Sequence, residues 1–361
     1  MSELLKLDEQ IAFSLRGLYQ KYGYSQFKMS KFEPYDLYML NKEFLVSDGI
    51  IAFTDTDGTL MALKPDVTLS IVKNYRSDQM PIQKVCYDEN VYRIGGTGKH
   101  FREIMQVGLE CLGDIGLYEL CETIMLAAKS LAVISDRYML DISHMDLLAS
   151  AMSKLNIDDN SVSQIMKCFA DKNEDGLLDC VPPEQAAMLA SLMQINGPIV
   201  QATEQLKALL PNVDYSALDA ISTYLTQTGI ADRVNLDFSI ISNRNYYNGI
   251  VFRGYVDGIP SAILAGGQYD KLMRKMGKQA KGIGFAVYLD QLELLDNRSK
   301  AFDVDTILLC SADEIPAHVA KAMEELSDNS ILVLREKPKR TRYRRLITLK
   351  DGRLEELENN G

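Results

Sequence analysis

Residues 84–113 read KVCYDENVYRIGGTGKHFREIMQVGLECLG, and the fold follows from how this stretch is read. Apolar and polar residues alternate on either side of Gly95-Gly96-Thr97-Gly98, the period of two that a strand requires, so two long strands joined at the glycines are predicted. On the second strand Met105, Val107, Leu109 and Cys111 share one face, leaving Gln106, Gly108 and Glu110 on the other. A carboxamide and a carboxylate flanking a residue with no side chain can floor a pocket for a small polar ligand, because both groups are directional hydrogen-bonding partners.

Working outward, Leu5, Ile11, Leu15 and Leu18 recur at helical spacing and predict an amphipathic helix over Leu4 to Tyr22. Ile50 to Thr54 and Thr59 to Lys64 predict a hairpin turning at Asp57-Gly58, and Val67 to Tyr75 returns to helix. Beyond Gly113, a helix over Leu117 to Val133 and a strand through Leu140 to Ser143 precede a long helical stretch, about 145–229, broken by Pro182-Pro183, Gly197-Pro198 and Pro211. Strands are predicted at Asn235 to Ile241, Ile250 to Val256 and Ser261 to Ala265, then a helix at Gln268 to Met276 and an apolar helix from Gly284 to Leu295. A composition change at Arg298 to Asp303 marks a linker. After it come a strand, a helix, a strand and a hairpin turning at Asp351-Gly352.

At 361 residues the chain has length for two or three folding units. Its net charge of -11 disfavours broad adhesion to phosphate backbones, which must be neutralised by lysine and arginine. No apolar run approaches the ~20 residues needed to cross a bilayer, and Met1-Ser2-Glu3-Leu4 lacks the basic-then-apolar pattern of an export signal, so a cytoplasmic protein is expected. Cys86, Cys111, Cys121, Cys168, Cys180 and Cys310 contain no C-x-x-C pair and the histidines are His100, His144 and His318; no metal site and no cofactor are expected, and the thiols should be reduced.

Three motifs invite readings that their details oppose. Gly95-Gly96-Thr97-Gly98-Lys99 is followed by His100 where a phosphate loop needs Ser or Thr, and by a strand where it needs a helix. Asp171-Lys172-Asn173-Glu174-Asp175-Gly176 opens like a calcium loop, but Pro182 stands where the bidentate glutamate belongs. Arg335, Lys337, Lys339, Arg340, Arg342, Arg344 and Arg345 form a basic run suited either to RNA phosphates or to contacts within the chain.

Taken together and in order, Tyr92-Arg93, Gln106-Val107-Gly108-Leu109-Glu110, Tyr246-Tyr247-Asn248-Gly249, Ala265-Gly266-Gly267-Gln268-Tyr269-Asp270 and Gly284-Phe285-Ala286-Val287-Tyr288-Leu289-Asp290-Gln291 resemble the signature segments of histidyl-tRNA synthetases. The resemblance implies an α+β fold over about 1–297, the mostly antiparallel class II synthetase sheet flanked by helices, with a helical insertion at about 145–229. Residues 304–361 resemble a truncated α/β anticodon-binding domain. It further implies a homodimer formed in part by the segment around Pro34. Carried over by position, Asp66, Thr68 and Gln106 match the groups that hold the histidine ammonium, with aspartate in place of the usual glutamate. Glu110, Tyr247 and Tyr269 match imidazole contacts, Tyr246 completes the tyrosine pair, Gly284 leaves room at the pocket wall and Arg93 matches the arginine at the carboxylate.

The departures fall on the activation chemistry. Ser242 stands where the family carries an arginine, Gly95 where it carries a glutamate, and Gln291 where an arginine grips ATP phosphate. Each lost electrostatic group removes on the order of 3 kcal/mol of transition-state stabilisation. This combination resembles the regulatory-subunit family of ATP phosphoribosyltransferase. The implied protein performs no catalysis itself, partners a short catalytic subunit in the first step of histidine synthesis, and mediates feedback by histidine. The competing implications are a divergent synthetase and an RNA-binding paralogue using the basic run.

Overall fold

The computed structural model describes residues 6–45, 49–76, 80–94, 100–241, 247–295, 302–328 and 330–360. Helix α1 (Leu7–Lys21) buries Ile11, Ala12, Leu15 and Tyr19 on one face and carries Asp8 and Glu9 at its positive end and Lys21 at its negative end. Next come β1 (Ser25–Gln26), β2 (Phe32–Pro34), α2 (Tyr35–Met39), β3 (Ala52–Thr54) and β4 (Leu60–Leu63). The β3–β4 hairpin turns at Gly58, whose φ of 88° is the left-handed geometry glycine accepts without strain. β2, β4 and β3 form a small antiparallel sheet.

After α3 (Thr68–Asn74), β5 (Ile82–Ile94) and β6 (Phe101–Gly113) pair antiparallel from Ile82↔Gly113 to Ile94↔Phe101, as the alternation predicts. Helix α4 (Leu117–Ile134) leads to β7 (Tyr138–His144). The helical stretch resolves into α5 (Met145–Lys154), α6 (Asp159–Ala170), α7 (Pro183–Gln194), α8 (Ile199–Leu209) and α9 (Ser216–Gln227). Pro183 opens α7, where its missing N–H is no loss. A short strand, β8 (Asn196–Pro198), lies between α7 and α8, where the sequence had suggested a simple break.

The chain returns through β9 (Val234–Asp237), β10 (Asn248–Val256), β11 (Leu264–Gln268), α10 (Asp270–Lys275) and β12 (Lys281–Tyr288). The helix expected from Gly284 to Leu295 is therefore wrong for its first half: Lys281–Tyr288 is a strand, and a 3-10 turn follows at Leu289–Leu294. β12 lies between β6 and β11, with Ile283, Phe285 and Val287 on one face and Gly282, Gly284 and Ala286 on the other, so no polar side chain marks an alternation along most of its length.

These strands make a nine-stranded sheet in the order β1-β5-β6-β12-β11-β10-β7-β9-β8. Its pairings are antiparallel except β1–β5 and β7–β9. The chain divides into two compact units, and this sheet belongs to the one spanning Asp8–Leu292.

The second unit comprises Met1–Leu7 and Glu293–Gly361. It holds β13 (Val304–Cys310), α11 (Pro316–Glu325), β14 (Ile331–Leu334), β15 (Tyr343–Lys350) and β16 (Arg353–Asn359), with sheet order β14-β13-β15-β16. Leu308, Cys310, Ile347 and Leu349 pack with Ala322 and Val319 of the helix. Asp351 and Gly352, with φ of 47° and 73°, give the β15–β16 hairpin a turn with two positive φ angles, which matches the twist of the strands. Among the described residues no helix is long and apolar enough to cross a membrane.

Candidate functional site

The polar face of β6 is built by cross-strand rows. Glu110 faces Val85 on β5 and Gly284 on β12; Gly108 faces Tyr87 and Ala286; Gln106 faces Glu89 and Tyr288. On β11, Gly267 continues the first row and Ala265 the second. Residues opposite one another point to the same side of a sheet, so small residues in the middle of these rows leave a hollow walled by large polar ones.

The hollow is a cavity open to solvent, about 410 Å³ when the solvent at its mouth is counted with it. Of the expected ligand residues, Asp66, Thr68, Arg93, Gln106, Glu110, Tyr247, Tyr269 and Gly284 line it together. Tyr246 lies outside the described residues, as do Ser242 and Gly95. Tyr87 and Tyr288 also line the cavity and were not anticipated. Their sequence signal was weak, because only the strand register sets Tyr87 opposite Gly108 and Tyr288 opposite Gln106.

Glu110 is the centre of the site. The Tyr269 hydroxyl donates to its Oε2 at 2.6 Å and the Thr68 hydroxyl to its Oε1 at 2.7 Å. Burial, offset in part by these two donors, raises its pKa from 4.5 to about 8. Each carboxylate oxygen has two lone pairs, so both can still accept from a ligand N–H.

Asp66 lies ahead of α3, where its Oδ1 accepts the Leu69 N–H at 2.9 Å. Its pKa is also raised, chiefly by burial, while the Leu69 hydrogen bond and the Arg93 charge oppose the shift. Gln106 is 3% exposed and its Nε2 has no partner, a buried donor left for a ligand. Beside it Lys64, fully buried, places its ammonium 2.6 Å from Glu89. Arg93 donates through Nε to the Pro65 carbonyl at 3.0 Å. A cavity with two carboxyl groups, phenols and a guanidinium suits a small ligand bearing both a cationic group and ring N–H donors.

The glycines of these rows are spatial requirements. A Cβ at Gly284 would overlap Glu110 Oε2 and the Leu109 carbonyl, and one at Gly282 would enter the Tyr269 ring. At Gly108 a Cβ would collide with the Tyr87 hydroxyl and the Phe285 carbonyl. The room expected between Gln106 and Glu110 is thus partly taken by Tyr87.

On the side expected to grip ATP phosphate, the Ser261 hydroxyl donates to Gln291 Oε1 at 2.5 Å, and Arg102 pairs with Asp290 at 3.3 Å. The proposed phosphate loop at 95–99 lies outside the described residues. In the segment that opens like a calcium loop, Asn173 Oδ1 caps the Gly176 N–H at 3.0 Å and Lys172 pairs with Asp237 at 2.9 Å, which makes it a helix-to-helix connection. Among the described residues no group of three or more His, Cys, Asp and Glu is placed to hold a metal. The basic run is largely committed to its own unit: Lys337 pairs with Glu358, Arg342 with Asp303, and Arg344 and Arg345 with Asp328.

Comparison with known proteins places these features. An ATP phosphoribosyltransferase regulatory subunit from Caldanaerobacter subterraneus subsp. tengcongensis is 28% identical over 315 residues, 83% of this chain and 82% of that one. A solved ATP phosphoribosyltransferase regulatory subunit/histidyl-tRNA synthetase from Bacillus halodurans has the same fold, with a TM-score of 0.73 at 22% identity over 90% of this chain and 88% of that one. The ATP phosphoribosyl transferase (HisG:HisZ) complex from Thermotoga maritima contains a chain matched with a TM-score of 0.62 at 20% identity, covering 78% of this chain and 97% of that one. The architecture is the class II synthetase fold. Residues 3–292 match the family model described as histidyl-tRNA synthetase, a span that takes in the whole nine-stranded sheet and every residue of the cavity, and the chain belongs to that family.

Proposed function

We infer that this chain is the non-catalytic regulatory subunit of ATP phosphoribosyltransferase, which activates a separate catalytic chain and carries histidine feedback to the first step of histidine synthesis. One observation carries the reading most of the way: Thr68 and Tyr269 both donate to Glu110 in a cavity that Asp66 also lines, while Gln291 spends its carbonyl on Ser261. A histidine site without a phosphate grip senses the amino acid and does not activate it. The relatives named ATP phosphoribosyltransferase regulatory subunit support the reading.

Histidine in the cavity accounts for the chemistry. Its ring N–H groups meet Glu110 and the phenols, and its ammonium meets Asp66, Thr68 and the Gln106 amide. Feedback then requires only that histidine bind the inhibited assembly more tightly than the active one. The test is reconstitution. Added to a short-form catalytic subunit, the chain is expected to raise phosphoribosyl transfer and make it histidine-sensitive; no change in rate with an authentic partner overturns the reading. Histidine-dependent pyrophosphate exchange is expected at background, and a rate above it supports a working synthetase instead.

A homodimer belongs to the same proposal. Phe32 and Phe53, 48% and 36% exposed, meet edge-to-face at 5.3 Å on one face of the small sheet, in the rows of Leu63 and Met61. A cluster of this kind is suited to burial against a second copy. Phe53→Glu is expected to shift the chain to monomer in sedimentation, and an unchanged dimer rules out this face. The pairing of the basic run with Glu358, Asp303 and Asp328 supports an intramolecular role for it.

A further inference from the structure

Resting on the histidine reading above, we propose that Arg253 takes the α-carboxylate of the bound amino acid, supplying a guanidinium from a strand that the signature segments did not point to. A zwitterionic ligand needs a cationic partner as well as Asp66. Arg93, which lines the cavity, is the obvious candidate, but its Nε is held by the Pro65 carbonyl and its charge already serves both the Asp66 carboxyl and the Tyr288 phenol.

Arg253 lies on β10 directly opposite Ala265, and the same row runs on through Ala286 and Gly108 to Tyr87. Ala265 and Ala286 line the cavity floor, so Arg253 starts one strand spacing, ~4.8 Å, from its edge and on its face of the sheet. On the other side its register partner is Asp141. Asp141 instead accepts from Asn235 Nδ2 at 3.1 Å, and the charges that act on it are those of Asp237 and Lys172. The charge of Arg253 acts weakly on Tyr247 and Tyr288, two walls of the cavity. Arg253 itself stands just outside the lining of the ligand-free cavity, in the row of the two alanines that form its floor. Its Nη2 donates to the Ile241 carbonyl at 3.5 Å, the long limit for such a bond. A partly buried guanidinium held this loosely retains donors for a carboxylate, which it can grip with two parallel bonds.

The experiment is calorimetric titration of the full chain with L-histidine and with L-histidinol, in which a hydroxymethyl group replaces the carboxylate. Wild type, Arg253→Gln, Arg253→Lys and Arg93→Gln are compared, with thermal melts to verify folding. Wild type is expected to prefer histidine. Arg253→Gln should weaken histidine by roughly 10- to 100-fold and leave histidinol within a few-fold, as loss of a charge-assisted contact requires. Arg253→Lys should recover part of the loss, since it restores the charge without the fork. A preference for histidine that survives in Arg253→Gln overturns the assignment alone, and one abolished by Arg93→Gln instead gives the carboxylate to Arg93. Wild type that binds neither compound overturns the histidine reading and this assignment with it.

Discussion

A Glu110→Gln protein is expected to bind histidine at least ~100-fold more weakly than wild type while keeping its fold. Glu110 is the acceptor on which the site converges, taking both the Tyr269 and Thr68 hydroxyls. An amide is close in shape but offers one carbonyl oxygen, so one hydroxyl or the ligand N–H must face an NH₂ group. A mismatched buried donor costs on the order of 1–3 kcal/mol, and above about pH 8, where Glu110 is ionised, loss of a charged acceptor adds a similar amount. At ~1.4 kcal/mol per tenfold, two such terms reach the stated loss. Calorimetry with histidine reads the effect directly, and a Glu110→Gln protein of wild-type affinity would remove this residue from the site.

The same substitution changes the pH dependence of folding. Burial raises the Glu110 pKa from 4.5 to about 8, so the folded state binds the proton more tightly than the unfolded one. Its contribution to stability is full below about pH 4.5 and is lost as pH rises through about 8. The full swing is on the order of 5 kcal/mol, from 3.5 pK units at 1.36 kcal/mol each. Glutamine does not titrate, so relative to wild type Glu110→Gln should gain stability steadily between those pH values. Parallel denaturation curves across that range would show instead that the ligand-free carboxyl is solvated.

Gly284→Ala is expected to have the largest structural effect of any single methyl added at the site. The new Cβ would overlap Glu110 Oε2, which can move only by giving up its bond to Tyr269, and the Leu109 carbonyl, which is backbone of the neighbouring strand. Overpacking of this kind costs ~1–3 kcal/mol, with more where backbone is struck. The prediction is a loss of about 3 kcal/mol in urea denaturation together with loss of histidine binding. Gly17→Ala is the control: nothing lies within 4 Å of the added atom, and within α1 the exchange should stabilise by ~0.5–1 kcal/mol. A Gly284→Ala protein as stable as wild type would mean that the strands relax freely here.

Much of this was legible in the sequence because alternation survives wherever one face of a strand is polar. The β5–β6 pair and the shared face of Gln106, Gly108 and Glu110 followed from that pattern, and the order of the signature segments indicated the class II fold. β12 was misread because it is apolar on both faces, which removes the period that separates strand from helix. Tyr87, Tyr288 and Arg253 were missed for a related reason. Each acquires its place from the residue opposite it, Gly108, Gln106 or Ala265, and pairing across strands leaves no trace in local spacing. Gly284 was singled out by resemblance, but the atom it makes room for, Glu110 Oε2, was visible only once the strands were laid side by side.

The bond from Ser261 to Gln291 has an evolutionary corollary. Restoring an arginine at position 291 alone would deprive the serine hydroxyl of its acceptor and set a second cation near Arg102, which already shares Asp290. Such a variant would gain no activation chemistry, because Ser242 and Gly95 would still stand where the family carries an arginine and a glutamate. Position 291 is therefore not an isolated switch: its present side chain is an acceptor for its neighbour, and a return to arginine there has to be read together with positions 242 and 95.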